Sequence, residues 1–471
     1  MKIIGNELLM KVALVIFIFC CTFLTFKALQ KPAIYNITLK NITHTYNRDV
    51  ALKDVVWRVD APYYYIDSKN SNRWDGGSYS NIKKNYYNTG DRDYGFFPLF
   101  PIVWNITGID VKYIGLFNYL MFGISVILLS NFFFRNGNTS MVERLCVFVV
   151  SLVLPWIVIY YMPYAEALFT FIFALAVYGL IKNKYWLFFI SIMLFAMTRP
   201  IFAIVGLSFV IMDVIHFINH KNPMHFIKEL WLKLAPLLLG TFIVFFMFYL
   251  NSGSFMKYFE SLTKYWNSNF SIPTEITDWS IEAFVMNVFA IFFILIPSSI
   301  IYVKYFMNQM RSQSTNKLPS IFSGDTEFIK SYFFYNGIVY FWGIFTYVIF
   351  FQAGALNGIS RYIIASPFFF IFLFYFYSDL KEIRLKTFLT ITIPLLVASL
   401  IMLISQHELE PAINFNDSGY FTFLFTLIYL FSFRFINNTL KVVSLAVLAV
   451  YNIIWITYLY NIYLCDGWIF T

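Results

Sequence analysis

Apolar residues along this chain fall in long blocks and not in alternation. A membrane-crossing helix needs about 20 mainly apolar residues, because each adds about 1.5 Å against a hydrocarbon core of about 30 Å. The first block is residues 9–26, with Lys2 ahead of it and Lys11 in its first turn. No small-residue cleavage site follows Phe26, so it reads as an anchor and not a removed leader. Further spans are predicted at 114–134, 145–161, 164–181, 185–198, 201–218, 231–250, 281–303, 332–351, 362–378, 387–405, 419–433 and 442–461, about thirteen in all. The short blocks around Arg199 predict a helical hairpin or broken helices. Residues 27–96 form the longest polar interval, too long for a simple connection. Neither a soluble domain nor an internal repeat is visible. The pattern predicts one all-α polytopic integral-membrane unit, residues 1–471, with a long first loop over 27–112.

Composition agrees with this reading. The chain is 59% hydrophobic and 13% charged, with a mean hydropathy of +0.67, whereas soluble domains carry roughly 25% charged residues. The net charge of +9 does not call for nucleic acid, since cytoplasmic loops of membrane proteins gather Lys and Arg. With the N-terminus in the cytoplasm, 18 of the 34 basic residues fall on the cytoplasmic side, 12 in the first loop and four in the other outer loops. Long loops are exempt from the positive-inside rule, so the bias places the first loop outside the cytoplasm. Trp57, Trp74 and Tyr63 to Tyr65 would let that loop rest on the membrane interface. The cysteines Cys20, Cys21, Cys146 and Cys465 have no ligand spacing. Asp213, His216 and His220 can share one helix face, which fits a solvated helix end better than a metal site.

The candidate chemistry lies on the outer side. Asp75 sits in Arg73-Trp74-Asp75-Gly76-Gly77, and the loop returns to the membrane through Phe96-Phe97-Pro98-Leu99-Phe100-Pro101. A lone loop carboxylate is usually just solvated. Here Trp74 offers an apolar wall, the glycines allow backbone to approach a ligand closely, and the prolines keep the run out of a helix interior. A carboxylate held in such an aromatic pocket suits a general base. Glu166 opens a span, where a carboxylate also complements the helix dipole. Arg199 and Arg361 lie at span boundaries, where arginines also snorkel. Charges that border apolar segments are costly and tend to be functional, and a phosphate group would explain both arginines.

These residues resemble a known pattern. The first loop resembles the GPI mannosyltransferase 2 (PIG-V) family and its prokaryotic relatives among the GT-C membrane glycosyltransferases. The resemblance rests on Trp74-Asp75, Tyr79, Ile82, Tyr87 and the run Phe96 to Pro101, then on Tyr164-Ala165-Glu166, Thr198-Arg199 and Ser360-Arg361-Tyr362. It covers roughly residues 73–375. The chain departs from the pattern at Ser78, at Lys83, where the family has Ala, and at Tyr86, where it has Gly; residues 27–72 have no counterpart. The resemblance implies a GT-C-like bundle with no cofactor and no assigned metal. It implies a polyprenyl- or dolichyl-phosphate-linked sugar donor, the sugar being mannose, and a glycan or glycolipid acceptor. Asp75 would be the base of an inverting transfer, with Trp74, Tyr79, Glu166, Arg199 and Arg361 binding substrate. A prokaryotic plasma membrane is a better home for such a chain than the endoplasmic reticulum.

Two other readings compete. A glycan polymerase or ligase acting on lipid pyrophosphates would place its large loop late, and here it comes first. A transporter or flippase of lipid-linked glycans would carry charged or broken sites in the middle of spans, often with repeats.

Overall fold

A computed structural model describes residues 2–34, 66–88, 90–134, 139–266, 268–273, 287, 290–311, 320–352, 356, 358–381, 384–390, 392–394, 397 and 424–464. The spans expected at 281–303, 387–405 and 419–433 lie partly outside these residues, as do Trp57, Tyr63 to Tyr65 and Cys465.

Every regular element among the described residues is helical. α1 is Lys2–Leu29, α2 Trp74–Asn85, α3 Leu99–Thr107, α4 Val111–Phe133, α5 Met141–Val153, α6 Glu166–Ile181, α7 Tyr185–Ala196 and α8 Phe202–His220. There follow α9 Pro223–Ser252, α10 Lys257–Trp266, α11 Ile296–Arg311, α12 Thr326–Phe351, α13 Ile359–Ile364, α14 Pro367–Lys381 and α15 Asn438–Leu464. Among the described residues six helices are long and apolar enough to cross a membrane, or seven if α5 and the following 3-10 helix Pro155–Tyr161 count as one span. Pro155 has no N–H for a continuing helix, and the pair bends by 65°. Shorter apolar helices such as α6 and α7 complete the bundle.

Local signals set the boundaries. Ser140 and Glu143 form a reciprocal capping box at the start of α5. Asp110 caps α4 by accepting from the Lys112 amide, and Asp325 caps α12 by accepting from Glu327 and Phe328. Pro223 opens α9 behind an Asn222 cap, and Gly253, at φ 75°, ends it. The outer face of α1 exposes Leu9, Phe17 and Leu24. In water such a row would be a liability; in lipid it is the face that meets acyl chains.

Polar contacts gather at the two ends of the bundle. α15 has 27 residues, about 40 Å at 1.5 Å per residue. Near its start Lys441 binds Glu143 at 2.7 Å. Near its end the Tyr463 hydroxyl donates to the Ser71 carbonyl at 2.9 Å. Arg144 pairs with Glu7 at 2.6 Å, on the Lys441 side. Asp75, Glu166, Arg199 and Arg361 belong to the Tyr463 side.

Candidate active site

Four segments distant in sequence deliver the cluster. Asp75 lies in the first turn of α2, in the loop after α1. Glu166 is the first residue of α6. Arg199 occupies the break between α7 and α8, where Pro200 follows and Thr198 turns its hydroxyl to the Phe195 carbonyl at 2.6 Å. Arg361 sits on α13, a short helix entered through Gly358 at φ 75°. The hydroxyl of Tyr340 donates to the Tyr362 carbonyl at 3.0 Å, and Asn287 accepts from the Ser360 amide at 2.8 Å. The first bond ties α13 to α12 and the second ties it to Asn287, so Arg361 sits on a helix held from two directions.

The charges form one connected chain. A single oxygen of Glu166, Oε1, takes Nη1 of Arg199 at 3.0 Å and Nε of Arg361 at 2.5 Å. Arg361 then reaches with Nη2 to Oδ2 of Asp75 at 2.7 Å. Glu166 is fully buried, the arginine side chains are each 9% exposed and Asp75 is 21% exposed. Aromatic rings floor the cluster. The Arg361 guanidinium lies 4.8 Å from the Tyr164 ring centre, and that of Arg199 lies 5.4 Å from Tyr362. Cation–π contact strengthens when water is excluded, so the rings hold the arginines without neutralising them.

The predicted site residues thus come together. Asp75, Glu166, Arg199 and Arg361 are in direct contact. Tyr79 is buried one turn beyond Asp75, edge-on to Phe96 and Phe100 at 5.2 and 5.1 Å, and burial pushes its phenol above the usual tyrosine range. Trp74 flanks Asp75, half-buried, at φ 49°. That left-handed backbone turns the chain sharply into α2.

The aromatic run does the positioning. Pro98 precedes α3 and Pro101 lies in its first turn, where a missing N–H loses no helical bond. The Leu99 amide donates to the Met197 carbonyl at 3.2 Å, tying the run to the break that carries Arg199. The Tyr87 hydroxyl donates to the Phe96 carbonyl at 2.9 Å. Phe97 packs on Phe202, Phe248 and Tyr258.

One sequence expectation is corrected. The sequence predicts that the glycines after Asp75 let backbone approach a ligand closely, whereas at Gly76 the close approach is to the protein itself. A Cβ on Gly76 would stand 2.4 Å from Cγ of Pro163 and 3.0 Å from the Tyr463 hydroxyl. Gly76 serves contact between α2 and the body of the protein. A Cβ on Gly77 would meet only the Asn72 carbonyl, at an ordinary 3.6 Å.

Two contributors carried no assignment from sequence. Tyr164 was visible only as part of the Tyr-Ala-Glu match. Tyr463 accepts from the Arg73 amide at 3.2 Å and so fixes the entry to α2 from 390 residues away. At the other end, Asp213 is taken by Lys233 at 2.6 Å and Tyr332 at 3.0 Å, and His216 meets the Tyr305 hydroxyl at 3.1 Å. Among the described residues no group of three or more His, Cys, Asp or Glu side chains is arranged to hold a metal ion.

Family models and curated proteins give no match to the chain. Its fold is similar to the crystal structure of ArnT from Cupriavidus metallidurans bound to undecaprenyl phosphate. The TM-score is 0.50 at 11% sequence identity, covering 96% of this chain and 77% of that one. The likeness is one of fold: among the described residues this chain is an all-helical bundle with several apolar spans, the polytopic membrane architecture expected from the sequence.

Proposed function

We propose that this chain is a membrane glycosyltransferase that moves a sugar, mannose, from a polyprenyl- or dolichyl-phosphate carrier to a hydroxyl of a lipid-linked or surface glycan. The Asp75 end of the bundle faces away from the cytoplasm, as the distribution of Lys and Arg argues. The observation that carries the reading is the Asp75–Arg361–Glu166–Arg199 chain at one end of a fold shared with ArnT, whose crystal structure holds undecaprenyl phosphate.

In the transfer, a carboxylate oxygen of Asp75 takes the proton of the acceptor hydroxyl. The acceptor oxygen bonds to the anomeric carbon as the bond from that carbon to the phosphate oxygen breaks. The electron pair leaves on the phosphate, giving free polyprenyl phosphate and a protonated Asp75. Arg361 and Arg199 stabilise the negative charge that grows on the leaving group. Planar guanidinium groups suit this work, because they grip phosphate oxygens two at a time. Glu166, expected from the sequence to bind substrate, is given a different role here because it is fully buried and its Oε1 holds both arginines. It is a positioning residue that holds both arginines in one orientation. Trp74 and Tyr79, on the same helix as Asp75, are assigned to the sugar.

The test is turnover by purified protein in lipid nanodiscs, offered polyprenyl-phosphate mannose or the corresponding glucose carrier. Release of polyprenyl phosphate with the mannose carrier, and a loss of about 10²–10⁴-fold in Asp75→Asn, is the expected result. Failure to consume any lipid-linked sugar, or normal turnover by Asp75→Asn, ends the proposal.

A further inference from the structure

The cluster is electrically balanced. Two guanidinium charges face two carboxylates, and every link between them is direct. Within this linked set, a phosphate finds neither arginine unpaired until one carboxylate gives up its partner. The two carboxylates are not equal candidates. Glu166 is fully buried, at the head of a packed helix, and holds both arginines through one oxygen. Pulling it away would leave a bare charge in the interior. Asp75 is 21% exposed, sits on a helix of the loop and holds Arg361 through one Nη2–Oδ2 contact of 2.7 Å.

We propose that the donor's phosphate and Asp75 compete for the same face of Arg361. Resting on the glycosyltransferase reading above, this makes Asp75 a base only after the donor has bound. Without donor, Arg361 occupies Oδ2 of the carboxylate, the oxygen that would otherwise face the acceptor. When a lipid phosphate takes Nη2, Asp75 swings free toward the acceptor, while Glu166 keeps both guanidinium groups aimed. No covalent bond changes in this step; one hydrogen-bonded anion replaces another on Arg361. The consequence is order, donor before acceptor deprotonation, and an empty site that does not hold a ready base beside water.

The competition has an unusual signature. Removing the negative charge of Asp75 should strengthen donor binding while destroying transfer. Undecaprenyl phosphate binding to nanodisc-embedded protein, at fixed salt, should tighten about tenfold in both Asp75→Asn and Asp75→Ala, the scale of one released charge-assisted hydrogen bond. Inorganic phosphate should follow the same rank order more weakly; tightening with the lipid alone would place the effect in the prenyl chain and overturn the exchange. Arg361→Gln should abolish the gain in the Asp75→Asn background. In wild-type protein, carbodiimide labelling of Asp75 should rise when undecaprenyl phosphate binds, a readout that needs no variant to fold. Equal or weaker binding in both Asp75 variants, or labelling that falls, overturns the exchange and leaves the glycosyltransferase reading standing where wild-type transfer persists. Wild-type protein that neither binds undecaprenyl phosphate nor transfers sugar overturns both.

Discussion

Replacing Glu166 by Gln is the perturbation that most directly tests how the cluster is built. The change keeps size and shape but removes a negative charge from a residue with no exposed surface. Arg361 would then keep only Asp75, and Arg199, like Arg361 9% exposed, would lose its only ion-pair partner among the described residues. Breaking a buried pair by removing one partner costs about 3–5 kcal/mol, because the remaining charge stays desolvated. Against a folding stability of about 5–15 kcal/mol that is a large fraction. Thermal unfolding of the detergent-purified protein, followed by tryptophan emission, should show a clear fall in midpoint. The double variant Glu166→Gln/Arg199→Gln discriminates the cause. It leaves Arg361 matched by Asp75 and should melt above the single Glu166 variant, a non-additivity expected only of residues in one network. If the double variant loses the sum of the two single losses, the charges are independent and the network reasoning fails. A Glu166→Gln protein that melts with wild type would refute the burial argument outright.

Four further outcomes follow from local geometry. Gly76→Ala must push α2 off Pro163 and Tyr463; overpacking of this kind costs about 1–3 kcal/mol, and transfer assays should show a loss beyond that of Gly77→Ala, whose Cβ has room. Tyr86 adopts φ 53° at the end of α2, with its ring 54% exposed; Tyr86→Gly should stabilise the protein by about 1 kcal/mol by relieving that backbone, read as a raised melting midpoint. The Asp91 carboxyl is held below its ordinary range by hydrogen bonds from Lys257 and Lys264, at 2.9 and 3.1 Å. A depressed carboxylate stabilises the fold above the unfolded value of 3.8 and loses that contribution as pH falls through the lower folded value. Trp266 emission should therefore shift below pH 3.8 in wild type and not in Asp91→Asn. In a cysteine-free background, Thr107→Cys should label from outside intact cells and Lys228→Cys should not; the reverse pattern overturns the proposed orientation.

Much of the bundle was legible because lipid imposes a simple rule on sequence. Blocks of apolar residues at 114–134 and 201–218 became α4 and α8 with boundaries shifted by three residues or fewer, since a helix is the one form in which a single apolar segment satisfies all its own backbone polar groups in hydrocarbon. The block at 145–161 became a helix and a 3-10 segment bent at Pro155, where the missing N–H outweighed uniform apolarity. Glu166, Arg199 and Arg361 stood out as charges bordering apolar stretches. Their pairing did not, because Arg361 lies 195 residues from Glu166 and 286 from Asp75. Hydropathy says which residues leave water and nothing about which helices become neighbours. Gly76 was misread for the same reason: the surface it approaches, Pro163 and Tyr463, comes from segments that only the fold brings beside it.

The unequal burial of the two carboxylates also explains why one cluster can be both a structural joint and a reactive site. A fully buried Glu166 anchors α6, the α7–α8 break and α13 to one point, and stability depends on its charge. Asp75 adds a fourth segment through one partly exposed contact, so its release leaves the other three joined. The helix that carries Asp75 belongs to the loop and is held by the Tyr463 hydroxyl at its entry and by Gly76 packed on Pro163. Motion of the Asp75 side chain therefore needs no movement of α2. A site built this way can exchange one anion for another on Arg361 without unfolding what positions the arginine.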